Sequence, residues 1–345
     1  MLEELAQQLA AARHLDDDQV RQAVGQLIDE AISAEVKAGF LTALARKGET
    51  PGEIAAFVRA LREKSVQPPI DPGWRNAREI LDVVGTGGDR LGTFNISTAA
   101  AIVCAAADVA VAKHGNRAVT SRAGSADTLE ALGVRIDLSP AEAARSLYEH
   151  NFAFFFAPNY HPAFKHIVPA RKLCAERGQR TIFNYLGPLL NPARPTAMLV
   201  GIPQPALGEP LARVLQSLGV RRAMVVCGGT PAGRLDEFST VGTNAIAEFY
   251  QERGLAVSEL APEQFPLQPA TLADLLGGDR QTNAEIVRRI LRGEERGPKR
   301  DAVLLNAAAA LFVADQAKSL QQGWELAVKV IDSGKAAAKL TQLTR

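Results

Sequence analysis

From Ile80 onward, strand-length apolar runs and helix-length segments take turns, and that alternation leaves few folds open. The runs Ile80–Val84, Val109–Ala112, Phe152–Phe156, Met198–Ile202, Ala223–Cys227 and Ala245–Tyr250 each have the length of a buried strand. Helical stretches fall between them, one capped by Ser139-Pro140-Ala141-Glu142, and others follow around Ile286–Leu291, Ala302–Ala314 and Trp324–Ile331. Such a pattern predicts an α/β fold with a central, mostly parallel sheet flanked by helices.

The segment before it is different. Val20, Val24, Leu27, Ile28 and Ile32 recur at helical spacing behind Asp16, Asp17 and Asp18. Val36, Phe40, Leu41 and Leu44 mark a second helix, and Thr50-Pro51-Gly52-Glu53 is a capping box opening a third. VQPPIDPGW, Val66 to Trp74, reads as a linker or hinge. A small helical domain therefore precedes a larger α/β domain.

The first strand ends in DVVGTGGD, Asp82 to Asp89, followed by TFNIST, Thr93 to Thr98, and the helical AAAIVCAAA. Gly85, Gly87 and Gly88 free the backbone to turn sharply and approach a ligand. Strand, glycine turn, polar residues and helix aim N–H groups and a helix dipole at an anion, so a phosphate-bearing substrate is expected. The same residues would also serve a plain strand–helix turn capped by Ser97 or Thr98. The block has neither the Gly-Lys-Ser/Thr ending of a P-loop nor the spacing of a dinucleotide turn. Asp89 beside phosphate calls for an intervening cation.

The second run leads into KHGNRAVTSRAGSAD, Lys113 to Asp127. Lys113 is placed at the strand's end, where open parallel sheets bind ligands. Cations, hydroxyls and glycines concentrated there suit a multiply charged phosphate ester.

These two blocks, with FAPNYHPA (Phe156 to Ala163), RTIFNYLGPLLNPA (Arg180 to Ala193) and LDEFS (Leu235 to Ser239), resemble the anthranilate phosphoribosyltransferase family over most of the chain. The resemblance implies transfer of the phosphoribosyl group of phosphoribosyl pyrophosphate (PRPP) to the amine of anthranilate, in tryptophan biosynthesis. It implies PRPP contacts at Gly85, Gly88, Asp89, Thr93, Asn95, Ile96, Ser97 and Thr98 on one side. On the other it implies Lys113, His114, Gly115, Asn116, Arg117, Ala118, Val119, Thr120, Ser121 and Ser125. Anthranilate would meet Gly85, Asn116 and Arg171, with Tyr160 and His161 lining its route. Two Mg2+ ions would be held through Ser97, Asp236 and Glu237. No dedicated general base is expected, because an aniline nitrogen already carries a free lone pair.

Taken alone, Asp236 and Glu237 read equally as a solvated acidic pair, Arg171 as a helix-surface arginine, and Lys113 as a surface lysine. Magnesium's preference for one or two carboxylates plus phosphate oxygens suits the first pair. Departures from the family are Ala118 and Ala123 in place of serine, Thr120 for another serine, and Phe238 for a smaller aliphatic. The family also implies residues 1–75 with 170–195 as the helical, dimer-forming domain and 76–169 with 196–345 as the α/β domain.

Charge bears on the alternatives. With 39 basic against 38 acidic side chains, net +1, no basic stripe favours nucleic acid or a membrane surface. A pyrimidine nucleoside phosphorylase-like enzyme stays open as the nearest other chemistry, though that group is longer. A non-enzymatic nucleic-acid-binding relative is the other alternative. Cys104, Cys174 and Cys227 read as reduced and buried, which with no secretory pattern and no spanning run predicts a cytoplasmic protein.

Overall fold

The computed structural model describes residues 1–118, 122–250 and 253–344. Four helices come first: α1 (Leu2–Ala10), α2 (Asp17–Leu27), α3 (Ala34–Lys47) and α4 (Pro51–Glu63). Asp16 caps α2 in a box with Gln19, and Thr50 and Glu53 form the box expected at α4. Glu53 is buried and also takes the Lys47 ammonium and the Leu15 N–H, so one carboxylate ties three segments together. The proline-rich linker contains a single turn, α5 (Pro72–Asn76), capped by Asp71.

The sheet uses β1 (Ile80–Gly85), β2 (Ala110–Gly115), β3 (Phe152–Phe156), β4 (Ala197–Gly201), β5 (Arg222–Thr230), β6 (Gly233–Leu235), β7 (Asn244–Tyr250) and β8 (Arg253–Leu260). Its order is β3-β2-β1-β4-β5-β7-β8, with β6 on β5. The first five positions are parallel, and β6, β7 and β8 add antiparallel pairs. From β1 the chain steps outward through β2 and β3, then returns to place β4 on the other side of β1. Between β1 and β4 the order reverses, and a doubly wound sheet opens a crevice there at the carboxyl ends of its strands.

Helices α6 (Ile96–Ala106), α7 (Ser125–Leu132), α8 (Pro140–His150), α9 (Ala157–Tyr160), α10 (Val168–Glu176), α11 (Gly208–Ser217), α12 (Arg280–Leu291), α13 (Pro298–Val313), α14 (Leu320–Asp332) and α15 (Lys335–Leu343) complete the chain. Leu81, Val83, Leu199 and Val226 face a core with α6 and α12 to α15. Met198, Val200, Ala223 and Val225 face the opposite one, shared with α11, α10 and the first four helices. Burial on both faces explains why the parallel strands read as continuous apolar runs.

The sequence reading needs correction in places. β2 runs on to Gly115, so Lys113 lies inside the strand rather than at its end. Strands β6 and β8 were not anticipated; β6 is a three-residue return, and β8 is an edge strand with polar residues interleaved. Helix α6 starts at Ile96 with Asn95 at the N-cap position, so neither Ser97 nor Thr98 caps it. After α10 the stretch expected to be helical holds only 3-10 turns, at Ile182–Asn184 and Gly187–Leu190.

Candidate active site

The crevice between β1 and β4 is filled by a loop from further along the chain. β5 and β6 form a hairpin, and Asp236 and Glu237 follow it at once. The loop's backbone lies on Gly85, Gly201 and Gly228, the close approaches that need a missing side chain. A Cβ on Gly201 would overlap the Asp236 carbonyl oxygen, and one on Gly228 would come within 2.5 Å of the Glu237 carbonyl oxygen. Asn306, on α13, pins the next residue from both sides: it accepts from the Phe238 N–H at 2.9 Å and donates to the Phe238 carbonyl at 3.0 Å. Asn244 does the same for Ser239. Phe238 is fully buried in the core behind the loop, so its extra bulk turns away from the crevice.

Held this way, the two acids reach the glycine turn. Gly87 N–H donates to Asp236 Oδ2 at 2.6 Å, with Gly87 and Gly88 both at positive φ. Ser97 N–H donates to Glu237 Oε1 at 3.1 Å from the first turn of α6. Thus Ser97, Asp236 and Glu237 are together, as the sequence reading expects. Asp89 joins them. Its Oδ2 is buried with no donor among the described residues, and the Asp236 carboxylate stands beside it. Burial first, then Asp89 and Glu237, raises the Asp236 pKa well above the carboxylate range. Glu237 is pushed up to about 7 by burial, against the pull of Lys113 and the Ser97 donors.

Lys113 is 1% exposed and donates to the Val83 carbonyl at 2.7 Å, with Asp82 and Glu237 as the charges acting on it. Three carboxylates at the crevice against one lysine leave a deficit of positive charge. That deficit and the orphaned Asp89 oxygen fit a divalent cation. No group of three His, Cys, Asp or Glu side chains forms a metal cage among the described residues. Magnesium needs none, since it takes one or two carboxylates and completes its shell from phosphate and water.

The β2 loop folds back on itself. Asp127 Oδ2 accepts from the N–H groups of Ala118 and Gly124, both at 2.9 Å, closing the loop into a ring. Ser125 and Ala126 donate to the Asn116 carbonyl, and a Cβ on Gly115 would strike the Ser125 hydroxyl. Asn116 is exposed, its Oδ1 accepting from the Arg117 N–H at 2.7 Å. Arg117 is exposed too, with its guanidinium paired to Asp127 and Glu130. Val119, Thr120 and Ser121 lie outside the described residues. Thr93 bridges to Leu276, Ile96 is fully buried and can offer only backbone, and the Thr98 hydroxyl is buried. Asn95 turns its side chain to Thr128 and Asn283, bracing α6 against α7 and α12.

A file of rings leads from this loop to the helical layer. His114 lies 5.5 Å from His161, His161 4.9 Å from Phe164, and Phe164 5.9 Å from Phe183. The Arg171 guanidinium stands 5.6 Å from the Phe183 ring centre. Although its side chain reaches solvent, the surrounding protein lowers the Arg171 pKa by partial burial. Among the described residues no carboxylate pairs with it. Both histidines are neutral at pH 7: burial first drives His114 down to about 3 and His161 to about 4. Tyr160 is buried against Phe155.

Several residues of the site escaped the sequence reading. Asp127 follows Gly124 by three positions, a helix-start spacing that could have revealed its loop-closing role. Asn306 is a lone amide in the apolar VLLNAAAALF, a signal of a buried hydrogen-bonding post. Phe164 and Phe183 carry no local signal.

A helical bundle followed by an α/β domain is the division of the glycosyl transferase family, to which the chain belongs. Its helical bundle domain matches residues 3–65 and its a/b domain residues 77–337. Within it, the chain belongs to the anthranilate phosphoribosyltransferases. The enzyme of that name from Petrotoga mobilis is 45% identical, over 98% of this chain and 94% of its own. The crystal structure of the Thermus thermophilus enzyme superposes with a TM-score of 0.89 at 41% identity, covering 99% of this chain and 98% of that one. The Saccharomyces cerevisiae enzyme in complex with PRPP and Mg gives 0.87 at 26% identity, over 99% and 96%.

Proposed function

We propose that this protein transfers the 5-phosphoribosyl group of PRPP to the amine of anthranilate, giving N-(5-phosphoribosyl)anthranilate and pyrophosphate. This is the second step of tryptophan biosynthesis from chorismate. The observation that carries the reading is the convergence, at the β1/β4 crevice, of the glycine turn, the β2 loop and the acidic pair.

PRPP would lie across the Gly85–Asp89 turn and the start of α6, with its other side against the loop from Lys113 to Ala118 and Ser125. The N–H groups of that turn and helix start favour its phosphates. Ser97, Asp236 and Glu237, with Asp89 adjoining, would hold two magnesium ions, which when bound offset the charge that grows on the departing pyrophosphate. Lys113 would favour the ionised form of Glu237, drawing its pKa down against the rise that burial causes. It acts through Glu237, since its own ammonium is engaged with Val83.

Anthranilate would enter along the rings of Phe183, Phe164 and His161, its carboxylate guided by Arg171 and its amine near Asn116 and Gly85. The bond from ribose C1 to the pyrophosphate oxygen breaks, and a bond from C1 to the aniline nitrogen forms. The proton that nitrogen then sheds is acidic and needs no strong base. Neutral His114 and His161 suit a route for an uncharged ring, where a buried imidazolium would compete with Arg171 for the carboxylate.

We also assign residues 1–75 and 170–195 to the helical domain and 76–169 and 196–345 to the α/β domain. A homodimer through the helical domain and a cytoplasmic location complete the proposal; sedimentation would report the dimer. The direct test of function is loss of anthranilate fluorescence on mixing with PRPP, with and without magnesium. A magnesium-dependent loss supports the reading. No loss from folded protein rejects it, and phosphate-driven cleavage of a pyrimidine nucleoside would then point to the phosphorylase chemistry.

A further inference from the structure

Inside the sheet, β1 and β2 part early. Among the described residues they pair only at Ile80 with Ala110 and at Leu81 with Val111. Each strand then continues on its other side alone: β1 pairs with β4 as far as Gly85, and β2 with β3 as far as Gly115. From Asp82 and Ala112 onward the two strands face each other across a gap. The glycine turn and the β2 loop leave from its open end.

Buried strand backbone must find other partners where its ladder stops. Side chains supply them here. Asn191 Nδ2 donates to the Ala112 carbonyl at 2.7 Å and to Asp82 Oδ2 at 2.8 Å, spanning the gap with one amide. Asp82 Oδ1 accepts from the His114 N–H at 3.4 Å, and Lys113 Nζ donates to the Val83 carbonyl at 2.7 Å. Both Asp82 and Asn191 are 0% exposed. Ile80 and Ala112 share a core with α8, whereas Val83 and Val111 share one with α6. By the alternation of strand side chains, Asp82 crosses the gap on the α8 side and Lys113 on the α6 side.

Asn191 comes from outside the sheet. It follows the 3-10 turn Gly187–Leu190 on the segment returning from the helical layer, and its Oδ1 accepts from the Ala193 N–H at 2.9 Å. With the amide nitrogen and oxygen both engaged, its orientation is fixed. We propose that Asp82 and Asn191 are positioning residues that wedge β1 from β2 and so set the spacing between the two loops that would grip PRPP. The inference rests on the functional reading above, in which PRPP lies between those loops. A ladder continued to Gly85 and Gly115 would hold the strand ends about 4.8 Å apart, which leaves no room for a sugar phosphate between the loops.

The test compares the parent with Asn191→Ala and with the double variant Asp82→Ala/Asn191→Ala. The single variant strands a buried carboxylate and should melt lower, whereas the double removes the wedge and its charge together. Calorimetric titration of PRPP with magnesium should show affinity at least tenfold weaker in the double variant, and its PRPP KM should rise as much. Its kcat at saturating PRPP and its anthranilate KM should stay within threefold, a split that general loosening would not give. A crystal structure of the double variant should show β1 and β2 paired beyond Leu81 and Val111. An unchanged gap, or a PRPP affinity within twofold of the parent, overturns the proposal. So do equal losses in kcat and in both KM values. A parent protein that itself binds no PRPP with magnesium rejects the functional reading, and the spacing role with it.

Discussion

Gly201, at the end of β4, faces the backbone of Asp236 so closely that a Cβ there would overlap the Asp236 carbonyl oxygen and lie 3.0 Å from the Glu237 nitrogen. Backbone cannot rotate away as a flexible side chain can, so Gly201→Ala must shift either the strand end or the acidic loop. Overpacking of this kind costs about 1–3 kcal/mol. Gly85→Ala differs in degree: its nearest obstacle is the Asp236 carboxylate, with the Asp236 carbonyl oxygen at 2.9 Å, farther than at Gly201. Melting curves and magnesium titrations on both variants should separate the effects. Gly201→Ala is expected to lose more thermal stability, and Gly85→Ala to raise the magnesium requirement with a smaller loss of stability. Identical behaviour would show that the loop moves as a whole.

Replacing the acids themselves has opposite consequences for stability and for activity. Asp236, Glu237 and Asp89 repel one another in a buried setting. Asp236→Asn with Glu237→Gln should therefore leave the magnesium-free protein at least as stable as the parent. The same variant should need at least tenfold more magnesium for half-maximal rate. An unchanged magnesium profile would remove these residues from the metal site.

The Glu237 carboxyl, raised to about 7, would make the proposed metal site sensitive to pH near neutrality. Its folded pKa exceeds the ordinary carboxylate value, so the protonated form is favoured by folding. That contribution is present at low pH and lost as pH rises through about 7. In magnesium-free buffer, stability from this group should thus fall between about pH 5 and 8, and Glu237→Gln should flatten the fall. A cation needs the ionised form, so the magnesium concentration for half-saturation should drop as pH rises over the same window. A magnesium affinity independent of pH from 6 to 8 would contradict this assignment.

Asp127 binds two backbone N–H groups at once, and neither has another acceptor in the ring it closes. Asp127→Asn keeps the shape but halves the acceptor capacity and drops the charge that holds Arg117. A loss of about 1–3 kcal/mol is expected. The PRPP KM should rise, because the loop facing the crevice loosens. Urea unfolding and initial-rate kinetics would check the two effects, and an unchanged KM would place the ring outside the PRPP site.

What the sequence disclosed follows from how each feature is encoded. Strand positions came through because β1 to β5 are buried on both faces and so read as unbroken apolar runs; β8, half exposed at the edge, has no such run. The capping boxes at Thr50 and Ser139 are local patterns, and both formed as expected. Ser97 and Glu237 are 140 residues apart, and their meeting depends on a sheet order that no local pattern encodes. Lys113 misled for a related reason. A lysine after VAVA suggests a strand end, yet Asp82 and Glu237, both distant in sequence, provide the charge that lets it stay inside.

Arg171 is the residue whose role can be tested most cleanly, because nothing in the fold leans on it. Its guanidinium makes no ion pair among the described residues and only stacks near Phe183, so Arg171→Ala should fold normally, with stability changed by about 0.5 kcal/mol or less. If it guides the carboxylate of anthranilate, the KM for anthranilate should rise at least tenfold, the scale of one charge-assisted hydrogen-bonded contact of about 1.5–3 kcal/mol. On the proposed arrangement PRPP would lie at the other end of the ring file, so its KM should stay within twofold. Arg171→Lys should recover part of the loss by charge alone, but not the paired donors that match a carboxylate. Equal effects on both substrates would instead mean that Arg171 sets the spacing between the helical layer and the sheet, and the carboxylate contact would have to be sought at Asn116.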